Sequence, residues 1–341
     1  MKVEKSKVYF TSMKTSFSEN LPQKLERLMK TAGIGSIDFK NKYAAIKIHF
    51  GEPGNLAFLR PNYAAVVVKV VKELGGKAFL TDCNTLYVGG RKNALDHMDA
   101  AYQNGFSPFS TGCHVIIADG LKGTDEVLVP VEGGEYVKEA KIGRAIMDAD
   151  VFITLNHFKG HEATGFGGAL KNIGMGCGSR AGKMEMHSAG KPHVDQTHCV
   201  GCGRCIGVCP MDAVCPASDE SNDILNCKIA EYSKAVVSGR PNFHISLVID
   251  VSPNCDCHAE NDIPIVPDVG MFASFDPVAL DVACADAVNR QPVISGSQLD
   301  RMPHVHHDHF IDSAPETNWH SCIEHAVKIG LGSDQYELIE I

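Results

Sequence analysis

Between residues 44 and 82 the chain reads strand, loop, helix, strand, and this unit constrains the fold more than any other stretch. Ala44-Ala45-Ile46-Lys47-Ile48-His49-Phe50 is a short apolar run, broken by the Gly51-Glu52-Pro53-Gly54 loop. A helix opens at Pro61, where a fixed φ and a missing N–H suit the first turn. Ala64, Val67, Val68, Val71 and Leu74 share one helix face, Gly75-Gly76 ends it, and Lys77-Ala78-Phe79-Leu80-Thr81-Asp82 returns as a strand. Two strands joined through a helix pair in parallel with a right-handed crossover.

Further strands read at 7–13, 114–119, 127–131 and 151–156, then a helix at 224–237 and a strand at 244–250. Asp276-Pro277 supplies an N-cap and a first-turn proline to a helix with Leu280, Ala283, Cys284, Ala287 and Val288 on one stripe. Trp319, Cys322, Ile323, Ala326 and Val327 form the stripe of the last helix, before Gly330, and Cys284 and Cys322 read as small core residues. The expected class is α/β: a mainly parallel sheet with helices on both faces. With 341 residues, 44% of them hydrophobic, the chain can bury a full core.

Cys199-x2-Cys202-x2-Cys205-x3-Cys209-Pro210 interrupts this body. Cysteines at these spacings in one tight loop, closed by Cys-Pro, are the ligand pattern of a ferredoxin-type [4Fe-4S] cluster; zinc more often takes two separated pairs. In two-cluster ferredoxins the fourth cysteine of such a run serves the other cluster, so Cys199, Cys202 and Cys205 need a remote partner. No second run of this form exists, leaving Cys215, Cys227 and the Cys255-Asp256-Cys257-His258 cluster as candidates for that ligand or for a second cluster. The segment is too short to fold alone and reads as an insertion stapled by its metal, which divides the chain into a first body part (1–192), the insertion (193–217) and a second body part (218–341).

Charge narrows the partners. With 32 basic and 41 acidic residues, net −9, the chain lacks the basic footprint that nucleic acid requires. It has neither an apolar run near the roughly 20 residues of a membrane span nor a signal peptide before Lys5 and Lys7, and so reads as cytoplasmic. Thirteen cysteines in a chain of this size suit metal ligation in a reducing compartment better than a disulfide framework, and an exposed cluster points to a low-oxygen host. Nothing here fixes an oligomeric state.

Three other constellations carry chemistry. The strand at 151–155 delivers Asn156-His157-Phe158-Lys159-Gly160-His161 at its carboxyl end, where open α/β sheets hold ligands. Gly165, Gly167, Gly168, Gly174 and Gly176 follow, with glycine amides able to approach an anion and Lys171 offering a charge or an attachment point; a plain helix-packing turn is the other reading. His157, His161 and Lys171 are the candidate catalytic residues. Cys255 and Cys257 also follow a strand end, and a Cys-x-Cys pair closes no relaxed disulfide, so cluster ligation is favoured over a substrate-facing thiolate. The tract of His304, His306, His307 and His309 reads as a solvated loop with adventitious metal affinity, since neighbours in extended chain point to opposite sides.

Thr164-Gly165 through Lys171-Asn172, the cysteine run, Glu231-Tyr232-Ser233-Lys234-Ala235, Cys255-Asp256-Cys257, Pro267-Asp268-Val269-Gly270, the stretch from Ser274 to Asp281 and Gly330-Leu331-Gly332-Ser333 together resemble the uncharacterised iron–sulfur centre proteins, domain of unknown function 362. That resemblance implies an α/β protein carrying ferredoxin-type clusters and lends no settled activity. The stretch from His161 to Lys171 is also similar to one in lactate racemase. That likeness implies Lys171 as the anchor of a nickel-pincer nucleotide, His187 as a nickel ligand and His161 as a proton or hydride partner, although Gly167 and Ala169 depart from that pattern. Electron transfer or redox chemistry on a small substrate is the leading expectation. A non-enzymatic iron–sulfur binding or maturation role and a racemase-like enzyme are the alternatives.

Overall fold

The computed structural model describes residues 5–87, 89–187 and 221–341, with the backbone of two short strands at 193–194 and 214–215. The cysteines of the run from Cys199 to Cys209, the side chain of Cys215 and the expected insertion apart from those two strands lie outside the described residues. The strands are β1 (Ser6–Ser12), β2 (Tyr43–Lys47), β3 (Lys77–Asp82), β4 (Val115–Ile117), β5 (Glu126–Pro130), β6 (Glu139–Gly143), β7 (Val151–His157), β8 (Lys159–His161), β9 (Gly165–Gly167), β10 (His193–Val194), β11 (Val214–Cys215), β12 (Asn242–Val248), β13 (Gly270–Ser274) and β14 (Tyr336–Glu340). Eight of them form the main sheet, in the order β14-β1-β13-β12-β7-β2-β3-β4.

The unit at 44–82 folds as expected. β2 pairs in parallel with β3 on one side and β7 on the other, Ile46 opposite Leu80 and Ile153. β7 and β12 are also parallel, with Leu155 opposite Ile245. β13 runs against both β12 and β1, because the connection from β12 is a loop with no crossover helix to carry the chain back to the starting edge. β14 returns parallel beside β1.

All seven residues of β7 are buried, as expected of a strand covered on both faces. Phe152 faces a core built with the helices Ala169–Cys177, Asn222–Val237 and Pro277–Asn289. Val151, Ile153 and Leu155 face the opposite core, built with the helices Leu21–Thr31, Pro61–Glu73 and Ala94–Gln103. Cys284 and Cys322 belong to the first core, as their helical stripes imply.

Two expectations change. The strand at 127–131 is real but lies outside the main sheet: β5 pairs antiparallel with β6, Val127 opposite Ile142, in a separate ribbon. Its residues stay partly exposed along its length, so it never had the continuous burial of a central strand. The last helix, His320–Lys328, buries Cys322, Ile323 and Ala326 but leaves Val327 37% exposed. Asp276 caps its helix as expected, accepting from the N–H groups of Val278 (2.9 Å) and Ala279 (3.1 Å).

In the histidine tract His304, His306 and His307 are exposed, and His306 and His309 hold intramolecular partners. Asp308 caps the helix His309–Ser313 and accepts from Trp319 Nε1 at 3.0 Å, His306 pairs with Asp312 at 2.9 Å, and His309 Nε2 meets the Gln291 carbonyl at 2.9 Å. The described donor groups close enough to share one ion include none of these histidines.

Candidate functional site

β2, β3 and β7 end at Lys47, Asp82 and His157, and these three line a cavity of about 610 Å³ at the carboxyl edge of the sheet. The strand-end rule therefore locates the site. Beyond β7, the β8–β9 hairpin turns at Gly165, whose φ of +82° suits glycine. Gly160 donates to the Ser252 carbonyl at 2.8 Å, and a Cβ there would stand 2.3 Å from the Pro253 oxygen. Only glycine lets this hairpin press against the loop that carries Cys255 and Cys257.

That contact assembles the polar end of the site. Lys171 Nζ donates to Cys255 Sγ at 3.1 Å, and the Cys255 side of the pair is fully buried. His161 Nδ1 accepts from the N–H groups of Ala163 (3.0 Å) and Thr164 (3.1 Å), which leaves the ring proton on Nε2, the nitrogen beside Glu162 (3.8 Å). The Cys257 thiol donates to Cys255 and holds it well below the ordinary thiol value against the cost of burial, with Lys171, Lys159 and His161 adding to the effect. Cys257 is correspondingly raised. Burial alone would lower Lys171, but the sulfur charge beside it keeps its ammonium group raised. Burial, and then the Lys171 charge, lowers His161.

His157 has a different task from the catalytic one expected. Its Nδ1 bonds the Asp256 carboxylate at 2.8 Å and its Nε2 the Ile249 carbonyl at 2.8 Å, so neither nitrogen is offered to a ligand. Asp256 sits between the two cysteines, and Lys159 Nζ approaches it at 3.4 Å. His157 is thus a strut that fixes the Cys255–Cys257 loop.

The glycine-rich stretch packs its helix closely, and Gly167, Gly168 and Gly176 also line the cavity. The amides of Ala169 and Leu170, in the first turn of their helix, donate to the two oxygens of Asp281 at 2.6 and 2.9 Å. A Cβ on Gly168 would meet Asp281 at 2.3 Å, and one on Gly174 the Ile229 carbonyl at 2.2 Å. Burial pushes Asp281 up to about 7, the two amides pulling the other way. A carboxyl raised above its unfolded value of about 3.9 binds its proton more tightly when folded, so its stabilisation is complete below about pH 4 and lost as pH rises through about 7. The melting temperature of the native chain relative to Asp281→Asn should therefore fall from about pH 4 to 7. A constant difference over that window would show a carboxylate ionised throughout.

Sequence reasoning missed the deeper wall. Lys47 Nζ bridges Asp82 (2.9 Å) and Asn172 (2.7 Å), and Arg91 bonds Glu52 (2.7 Å) and His49 Nε2 (2.9 Å). Lys47 and Asp82 each end an apolar strand, a signal the strand-end rule could have used. His187 does line the cavity, its ring centroid 5.3 Å from that of Tyr87, and burial pulls it down to about 3. Cys227 is not brought in: it faces the Ser321 carbonyl (3.9 Å), and its helix lends the cavity Asn222, Leu225 and Ile229 instead.

Two donor groups stand out. The ligand atoms of His161, Cys255 and Cys257 all lie within 4.8 Å of one another, as do those of Glu162, Cys257 and His258. Such thiolate and imidazole sets suit soft and borderline metal ions. No helix among the described residues is long and apolar enough to cross a membrane.

Among solved structures, the chain resembles the lactate racemase apoprotein of Thermoanaerobacterium thermosaccharolyticum, with TM-score 0.41 and 14% identity over 66% of this chain and 49% of that one. It also resembles a Thermotoga maritima protein, with TM-score 0.44 and 14% identity over 78% and 57% of the two chains. Superpositions at these scores measure similarity and assign no chemistry. The thylakoid-associated protein sll1697 of Synechocystis sp. is 28% identical over 131 residues, 37% of this chain and 35% of that protein, so the match spans about a third of the relative's length. Residues 44–286, which include β2, β3, β7 and every cavity residue discussed above, match the model of a single family, and the chain belongs to it: Domain of unknown function (DUF362).

Proposed function

We propose that this chain is an iron–sulfur redox protein acting on a small anionic molecule held in the cavity. The observation that carries the reading is the buried Cys255 sulfur, bonded at 3.1 Å by Lys171, which lines a cavity whose walls also present Cys257, Lys47, Arg91, Lys159 and Lys183. Cationic side chains in a low-dielectric recess favour an anionic ligand, and a thiolate is an electron-rich neighbour for it. Cys199, Cys202 and Cys205 suit three corners of a [4Fe-4S] cluster whose fourth ligand comes from outside that loop, and such a cluster supplies one-electron chemistry when bound. In this reading Lys171 and Lys159 orient the anion, His161 holds a transferable proton at Nε2, and His157 keeps the cysteine loop in register. A thermal-shift screen of the reduced, anaerobic protein with 2-hydroxy carboxylates, 2-oxo carboxylates and nucleotides tests it. A compound should stabilise the native chain, fail to stabilise Lys171→Met and reoxidise the reduced cluster. Stabilisation indifferent to Lys171, or no reoxidation by any ligand, would count against the reading.

A second reading rests on a separate observation: Lys171, His161 and His187 line the same cavity. That grouping accommodates a racemase-like enzyme with a nickel-pincer nucleotide anchored at Lys171, which would displace the Lys171–Cys255 contact. Intact mass spectrometry of protein from its native host should then show an adduct at Lys171, and unmodified, nickel-free protein would exclude it.

A further inference from the structure

We infer that Cys255, Cys257 and His258 bind one thiophilic divalent cation of the zinc class, with Glu162 as an exchangeable oxygen ligand, separately from any iron–sulfur cluster. The site lies where the two donor groups meet. Both groups contain Cys257, and within each the ligand atoms are no more than 4.8 Å apart. A zinc-class ion sits roughly 2.0–2.3 Å from thiolate sulfur and imidazole nitrogen, so the atoms within each group need only small shifts to close on it, while Cys255 and His258, which share no group, must be drawn together through Cys257.

The hydrogen bonds choose between the two histidines. His161 Nδ1 is already the acceptor of two backbone N–H groups, at 3.0 and 3.1 Å, so its Nε2 carries the proton and has no lone pair for a metal. Its role is to donate toward the Cys255 sulfur beside Lys171. Among the described residues His258 Nε2 meets the Glu162 carboxylate, at 2.8 Å, and a cation can enter between these partners and be bound by both.

The loop is built before the ion arrives. The Asp256 carbonyl accepts from Glu52 N–H at 2.9 Å, the His258 N–H returns to the Cys255 carbonyl at 3.2 Å, and Asn55 Nδ2 holds the His258 carbonyl at 2.9 Å. With His157 and Lys159 fixing the Asp256 side chain, the backbone is tied on every side and both sulfurs are held toward the same point. Charge closes as well. Two thiolates and one carboxylate bring one negative charge more than a divalent cation neutralises, and Lys171, 3.1 Å from Cys255, supplies the balance. Two sulfurs and one imidazole with a replaceable oxygen ligand are the donor set of an open zinc site, in which a cavity ligand's oxygen can take the place of Glu162.

Cobalt(II) is the probe, titrated anaerobically into full-length protein stripped of labile divalent metal with its cluster retained. The native chain, and a variant with serine at Cys199, Cys202, Cys205 and Cys209, should each bind one equivalent and develop thiolate-to-cobalt charge-transfer absorption. Cys257→Ser and the Cys255→Ser/Cys257→Ser pair should lose that absorption. Cys257 lines the cavity, so its single substitution gives a reading even where the double variant folds poorly. His161→Gln should keep the equivalent, His258→Ala should lose it, and Lys171→Met should weaken binding by about 10–100-fold as a neighbour of a ligating sulfur. An absent band in the native chain, a band that survives in Cys257→Ser, or one lost with serine at Cys199, Cys202, Cys205 and Cys209 would overturn the site. Loss of iron and acid-labile sulfide in the double variant would also overturn it, since the pair would then serve the cluster. A native chain without iron and sulfide that still binds cobalt would sink the redox reading alone.

Discussion

Glu231→Leu is expected to lower the unfolding free energy by about 3–5 kcal/mol, among the largest single-residue effects in this fold. Glu231 is fully buried in the helix Asn222–Val237. Its two oxygens accept from the N–H groups of Glu135 (2.6 Å), Tyr136 (3.1 and 3.2 Å) and Val137 (2.6 Å), and from His325 Nε2 (2.8 Å). One carboxylate thus ties the β5–β6 ribbon to two helices. Leucine fills a similar volume but strands three backbone donors and a histidine in an apolar setting, where an unmade bond costs more than a made one contributes. Glu231→Gln keeps one acceptor oxygen and should fall between. Chemical denaturation monitored by circular dichroism measures the difference, and a loss under about 1 kcal/mol would mean that the donors find other partners.

Lys171→Met should slow alkylation of the Cys255–Cys257 pair at pH 7 by roughly thirtyfold relative to its rate at high pH, while in the native chain the rate changes little over the same range. The two sulfurs share one proton, and the Lys171 ammonium at 3.1 Å is the main external charge that keeps the pair ionised. A depressed thiol remains a thiolate as pH falls below the ordinary value of about 8.5, and removing the cation moves the ionisation back toward that range, the thirtyfold figure being the limit in which it returns there fully. Iodoacetamide labelling of metal-depleted protein, read by peptide mass, follows this, because Cys257 lines the cavity and admits the reagent. Identical pH profiles for the two proteins would assign the depression to some other group.

The parts of the fold that were legible are those in which one short run carries its own signal. The strand–helix–strand unit from β2 to β3, the all-buried β7 and the Asp276 cap follow from apolar runs, helical spacing and an N-cap followed by proline. The reversed direction of β13 was not legible, because its five residues, Gly270–Ser274, carry no mark of direction and take it from a loop connection. β5 looked like a sheet strand because the run Val127-Leu128-Val129-Pro130-Val131 is continuously apolar, but two-sided burial depends on what packs above it. In the site, His161, Lys171, Cys255 and Cys257 could be nominated by residue type and strand-end position, and the fold brings them together. Lys47 and Asp82 carried the same strand-end signal and were passed over, whereas Glu52 and Arg91 carried none, since isolated loop charges read as solvent-facing until topology buries them against each other. His157 was misread for a related reason: a histidine at a strand end is equally a ligand or a strut, and only its two occupied nitrogens decide.

The most direct test of the redox account is the iron and acid-labile sulfide content of the anaerobically purified chain, taken with the paramagnetic resonance of its reduced form. About four irons and four sulfides per chain, with a reduced-cluster signal that Cys202→Ser abolishes, is the expected result. Zinc at Cys199, Cys202 and Cys205 with no acid-labile sulfide would contradict it.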